Sequence, residues 1–164
     1  MDWTIQNGVR YAVAMSALLG LAACTTAEED PAEHACEHAV EAGTAITAAI
    51  DGSVGPDVST THTRYDVTLG AVEGGNGGTV ALSADEVIHL LLFVGSDVPL
   101  VLKDASGNDV VAETSEAVTA CSELAMMYEY SLGIGEYTIT FGPTSETSVL
   151  LLTEHEDHDH DHEE

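Results

Sequence analysis

The sequence predicts an all-β protein, an antiparallel sandwich of about eight strands. Three observations carry that expectation. From Thr44 onward the chain consists of short β-branched and apolar runs separated by glycine, asparagine and aspartate. One run, His62–Leu69, alternates strictly, with Thr63, Tyr65, Val67 and Leu69 on one face and His62, Arg64, Asp66 and Thr68 on the other. Period two over that length marks a strand with one face buried. No long amphipathic helix appears anywhere in the chain.

The N-terminal residues read as an export signal. Arg10 precedes an apolar run, Tyr11–Leu21, that is too short to span a bilayer and ends in small residues. Leu21-Ala22-Ala23-Cys24 resembles the lipobox of bacterial lipoproteins. That resemblance implies cleavage after residue 23, a diacylglycerol on Cys24, and attachment to the cell envelope. Thr25 and Thr26 after the cysteine resemble the pattern that directs such proteins to the outer membrane. Residues 1–23 are thus a signal peptide, and 24–43 a lipidated start with an acidic tether and a short helix. The sandwich spans 44–153, and 154–164 form a tail expected to be disordered.

Asp30-Pro31-Ala32-Glu33 opens the helix. It offers an N-cap residue, a proline at the first helical position and an acid in the first turn, and Gly43 supplies a stop. A helix over Pro31–Ala42 follows, marginal in isolation at that length. Strands are then expected at Thr44–Ile50, His62–Leu69, Thr79–Ser83, Val87–Val94, Val98–Leu102, Asp109–Glu113, Leu124–Leu132, Gly135–Phe141 and Thr147–Thr153. Gly74–Gly78 and Asp104–Asn108 read as turns. Val87–Val94 is apolar almost throughout, as a strand covered on both faces must be. Glu116–Tyr128 fits a helix or a strand, and the larger apolar stripe of Leu124–Leu132 favours the strand. His62–Leu69, the Asp104–Asn108 turn and Gly135–Phe141 together resemble the bacterial pre-peptidase C-terminal domain. That resemblance implies a jelly-roll sandwich acting as a noncatalytic accessory. No peptidase precedes it here, so the accessory role to a peptidase does not carry over.

Composition narrows the partners. The formal net charge is −26, and past the signal Arg64 and Lys103 are the only basic residues. Such a polyanion cannot neutralise phosphates, which excludes nucleic acid as a partner. Attraction to anionic lipid is excluded on the same ground, so membrane attachment rests on the acyl chains, each buried CH₂ being worth about 0.8 kcal/mol. With Cys24 committed to lipid, Cys36 and Cys121 remain, and an even remainder in an exported protein reads as a disulfide. A metal thiolate at Cys36, or two separate buried thiols, are the competing readings.

Two stretches carry metal-ligand chemistry. Glu154–Glu164 contains only histidine and carboxylates, among them His155, His158, His160, His162, Asp157, Asp159 and Asp161. Neutral imidazoles with carboxylates suit zinc, nickel or copper rather than calcium. His34-Ala35-Cys36-Glu37-His38 resembles the H-x-x-E-H motif of inverted zinc metalloproteases. Those enzymes are far larger and bring a further ligand from another helix, so proteolysis does not follow, and His34 and His38 stand as weaker candidate ligands. His62 is expected at the surface, and His89, inside an apolar run, as a core histidine. No nucleophile elbow, phosphate loop or dinucleotide fingerprint occurs, and the chain is expected not to be an enzyme.

Two functions fit these residues. One is a lipid-anchored extracytoplasmic sandwich whose tail binds zinc, nickel or copper as a buffer or capture arm. The other is a surface module that binds an envelope protein or glycan, with the tail adding only charge. Neither requires a cofactor.

Overall fold

The computed structural model describes residues 30–155. The expected signal, Cys24 and the expected tether before Asp30 lie outside that range, as do Asp157, His158, Asp159, His160, Asp161 and His162. The described chain is a β-sandwich with one helix. That helix, α1, spans Pro31–Ala39. The strands follow in order: β1 Thr44–Thr47, β2 Thr63–Thr68, β3 Gly70–Val72, β4 Gly75–Ala84, β5 Ile88–Val94, β6 Leu100–Asp104, β7 Asp109–Val110, β8 Thr114–Ala117, β9 Met126–Leu132, β10 Gly135–Thr144 and β11 Ser148–His155. One sheet has the order β1-β2-β11-β5-β9-β8, the other β3-β4-β10-β6-β7. Strand pairing is antiparallel throughout these sheets except between β1 and β2, which run parallel.

The main core lies between the sheets, where Leu82, Leu90, Leu92, Leu102, Ile139, Phe141 and Leu151 are almost wholly excluded from solvent. Alternation sends Leu91 and Phe93 of β5 and Leu152 of β11 to the opposite face. There they form a second core with Ala35 and Ala39 of α1 and with Leu124. The helix therefore roofs the outer face of the six-stranded sheet. This is why Val87–Val94 shows no alternation in sequence: β5 is covered on both sides.

Local chemistry sets the ends of α1. The Asp30 carboxylate accepts from the Ala32 backbone N–H at 2.9 Å, the N-cap bond expected of that residue. At the other end, the Arg64 Nη1 donates to the Ala39 carbonyl at 2.6 Å while its Nε donates to Asp66. A cation on the last carbonyls of a helix is favourable, and here it stops the helix at Ala39, three residues before the expected end.

At the strand level, sequence and structure differ in several places. Gly75–Gly78 belong to β4 rather than to a turn, and only Glu73 and Gly74 turn the β3–β4 hairpin. The glycines serve close approach instead: a Cβ on Gly78 would sit 2.7 Å from the Ala48 Cβ, where residues 48–49 cross the strand. The edge strand β8 is exposed along its whole length, and so has no burial pattern to read. The apolar stretch Thr44–Ile50 yields only a short β1, ending at Thr47. Finally, β11 runs on to His155, so the first two residues assigned to the tail are strand residues of the sandwich.

Candidate metal centre

Glu154 is the least expected residue of the site. On β11 it follows Leu150 and Leu152 on the outer face, level with Leu91 of β5, and only 3 % of it is exposed. A carboxylate at that depth requires a positive charge, strong donors or a metal ion beside it. What gathers around it is imidazole. His62 Nδ1 lies 2.7 Å from Glu154 Oε2. His34 and His38, one helical turn apart on α1, face the same point. One ligand atom from each of His34, His38, His62 and Glu154 falls within 4.8 Å of all the others.

The three rings form a nearly equilateral triangle. Their centroids are 5.0 Å apart for His34–His38, 5.1 Å for His34–His62 and 5.0 Å for His38–His62, with interplanar angles of 87°, 78° and 64°. With metal–nitrogen bonds of about 2.0–2.1 Å, neighbouring ligands of a tetrahedral ion stand about 3.3 Å apart. The four ligand atoms, within 4.8 Å of one another, would have to draw in by up to about 1.5 Å to enclose such an ion. Three imidazoles and one carboxylate suit zinc, nickel, copper or cobalt and disfavour calcium and magnesium.

Each of the four gathered residues is placed by a distinct piece of local structure. Ala35 and Ala39, fully buried against the sheet, fix the rotation of α1 and so bring His34 and His38 toward β2 and β11. His62 sits in the turn before β2 with φ +55°, the one non-glycine residue among those described to adopt a positive φ. Histidine tolerates this conformation better than most residues, but it is costly and persists where the surroundings enforce it. Here the His62 N–H donates to the Thr153 carbonyl at 3.1 Å. The buried Thr153 hydroxyl bonds to the Val58 and Thr60 carbonyls, at 3.2 and 3.3 Å, and holds the approach to the turn. The His62 side chain is half exposed, so the centre opens to solvent on that side.

The disulfide expected from cysteine parity is present, joining Cys36 of α1 to Cys121 in the β8–β9 connection with Cα atoms 5.9 Å apart. Cys36 is two residues from both His34 and His38. It is therefore no metal thiolate. Glu37, the acid of the H-x-x-E-H motif, points to solvent and is not among the gathered ligands.

His155 lies on β11 next to Glu154, facing the other side of the strand and outside the cluster. His89 is half-buried on the outer face, not in the core, with Nδ1 3.4 Å from Ser131 Oγ. It forms a second group with Glu113 and Glu129, of which Glu113 is exposed and Glu129 accepts from Thr114 Oγ1 at 3.1 Å. No protein-family model, curated protein or solved structure matches this chain. The geometry of its own residues is what a functional reading rests on.

Proposed function

We propose that this chain is a lipid-anchored extracytoplasmic protein that holds a transition-metal ion, zinc, nickel or copper, at His34, His38, His62 and Glu154. The observation that carries the reading is the convergence of three histidine rings on a buried carboxylate. The histidines and the acid come from three separated stretches of chain, a helix, a turn and a strand end. Four protein ligands complete a tetrahedral set and leave no open position for substrate, which favours binding over catalysis. The half-exposed His62 gives the ion a route in and out, as a buffer or capture protein requires. The tail histidines His158, His160 and His162 begin four residues after Glu154 in sequence and act as a tethered collector of weaker affinity. Export is supported by the lipobox-like Leu21–Cys24 and by a disulfide of the kind that persists outside the cytoplasm.

The test is metal analysis of the full chain isolated without an affinity tag, followed by zinc, nickel and copper titration of the stripped protein. One ion retained per chain after desalting supports the centre. A protein that neither carries nor takes up any of the three ions would sink the reading.

A further inference from the structure

The metal ligands and the disulfide share one short element. The nine residues of α1 include two of the four ligands, with Cys36 midway between them. A helix of that length does not persist in water on its own, so its order comes from docking. Its fully buried contacts are the small side chains Ala35 and Ala39, and stabilisation scales with apolar area removed from water. On the side of α1 that faces the β8–β9 connection, Ala32 and Cys36 are partly buried with Val118, Cys121 and Met127 against the second core. An open pocket of about 300 Å³ lies beside the N-terminal end of the helix, lined by Asp30, Glu33, Glu116, Val118 and Met127 among others. Three of those residues carry negative charge, and the repulsion opposes closure. Arg64 on the Ala39 carbonyl fastens one end of the helix. The covalent fastening is Cys36–Cys121, which ties the middle of the helix to the β8–β9 connection.

We infer that the disulfide is a redox clasp on the metal centre: oxidised, it holds His34 and His38 over His62 and Glu154, and its reduction lowers metal affinity by releasing α1. The inference rests on the metal-binding reading above. The reduction is a thiol–disulfide exchange. An external dithiol supplies two electrons and two protons, Cys36 and Cys121 become thiols, and the dithiol closes to its own disulfide. His62 and Glu154 are untouched, because their turn and strand are held by the sheet. The coupling is reciprocal, so a bound ion must make the disulfide harder to reduce by the same factor that the disulfide tightens the ion.

The experiment is a zinc titration against a chromogenic chelator. It uses the full chain carrying His158→Asn, His160→Asn and His162→Asn, so that the centre alone is read. The disulfide-intact protein is compared with the same chain carrying Cys36→Ser and Cys121→Ser. Loss of affinity of about tenfold or more, with the β-sheet circular dichroism unchanged, is expected, in the ordinary range for coupled sites. Equal affinity in the two forms overturns the clasp while leaving the metal centre standing. Absence of zinc binding in the intact form overturns both. Should the serine variant fail to fold, the native protein supplies the second readout. Equilibrated against a thiol–disulfide couple of fixed ratio, its oxidised fraction should rise when zinc is added, and an unchanged fraction overturns the clasp.

Discussion

His62 Nδ1 and Glu154 Oε2 stand 2.7 Å apart, joining the turn that leads into β2 to the end of β11. The two residues are far apart in sequence, and neither belongs to a recognisable motif. Yet the bond ties a backbone in the left-handed region to a carboxylate on the covered face of the sheet. Such a costly pair is expected where a site must be held ready for a ligand.

Glu154→Gln tests that pair. The amide keeps the shape and loses the charge and the anionic ligand oxygen. Zinc affinity at the centre should fall by at least about tenfold, the scale on which support around a metal acts. The fold should persist, since β11 keeps its ladder to β2 and β5. Isothermal titration and thermal melting of the same preparation separate the two effects.

Phe93 and Leu151 should part company in the same assay. Both are wholly buried, Phe93 under α1 and Leu151 between the sheets. Truncation to alanine should cost about 3–5 kcal/mol for Phe93 and about 2–5 kcal/mol for Leu151, read by denaturant unfolding. Only Phe93→Ala also loosens the seat of the helix, so at temperatures where both variants are folded it alone should weaken zinc binding.

Alkaline titration follows from Tyr130. Burial, with the neighbouring Tyr128 as a smaller influence, pushes its hydroxyl up to about 12 from the ordinary 10.0. The folded state thus retains a proton that the unfolded chain gives up near 10. The stability so gained is full below that pH and is lost as pH rises through about 12. Tyr128 is raised in the same direction, by its own burial first and by Asp97 second. Thermal melts from pH 9 to 12 should show a decline that Tyr130→Phe makes shallower.

Much of the fold was legible in the sequence, and the reasons are local. His62–Leu69, Gly135–Phe141 and Val87–Val94 each bury a face large enough to leave a period or an unbroken apolar run, and each is a strand. The polar edge strand β8 buries nothing and left no trace. Cysteine parity was sufficient for the disulfide. The candidate site was only half legible. His34 and His38 announce themselves by helical spacing, but the partner expected to complete such a motif was another helix. Instead it came from a turn and a strand end, whose meeting with α1 depends on the order β2-β11-β5 within the sheet. Glu154 was hidden further by its neighbours: it stands first in a run of acids and histidines and shares their composition. The available signal was the apolar run Val149–Leu152, whose alternation between faces extends through Thr153 to Glu154.

Anchorage has its own check. The full precursor expressed with its signal should partition into the detergent phase of a cloud-point separation and carry the mass of an acylated cysteine. Cys24→Ser should stay in the aqueous phase, because the acidic chain offers no electrostatic hold on a membrane. Aqueous partition of the wild-type protein would contradict the anchor.

The most direct measurement is a zinc titration of three full-length chains. These are the native protein, the tail variant His158→Asn/His160→Asn/His162→Asn, and the centre variant His34→Asn/His38→Asn/His62→Asn. The native and tail-variant chains should each show one tight site per chain, and the centre variant should retain only weak binding. A tight site that survives in the centre variant and disappears in the tail variant would place the metal chemistry in the tail and contradict the centre.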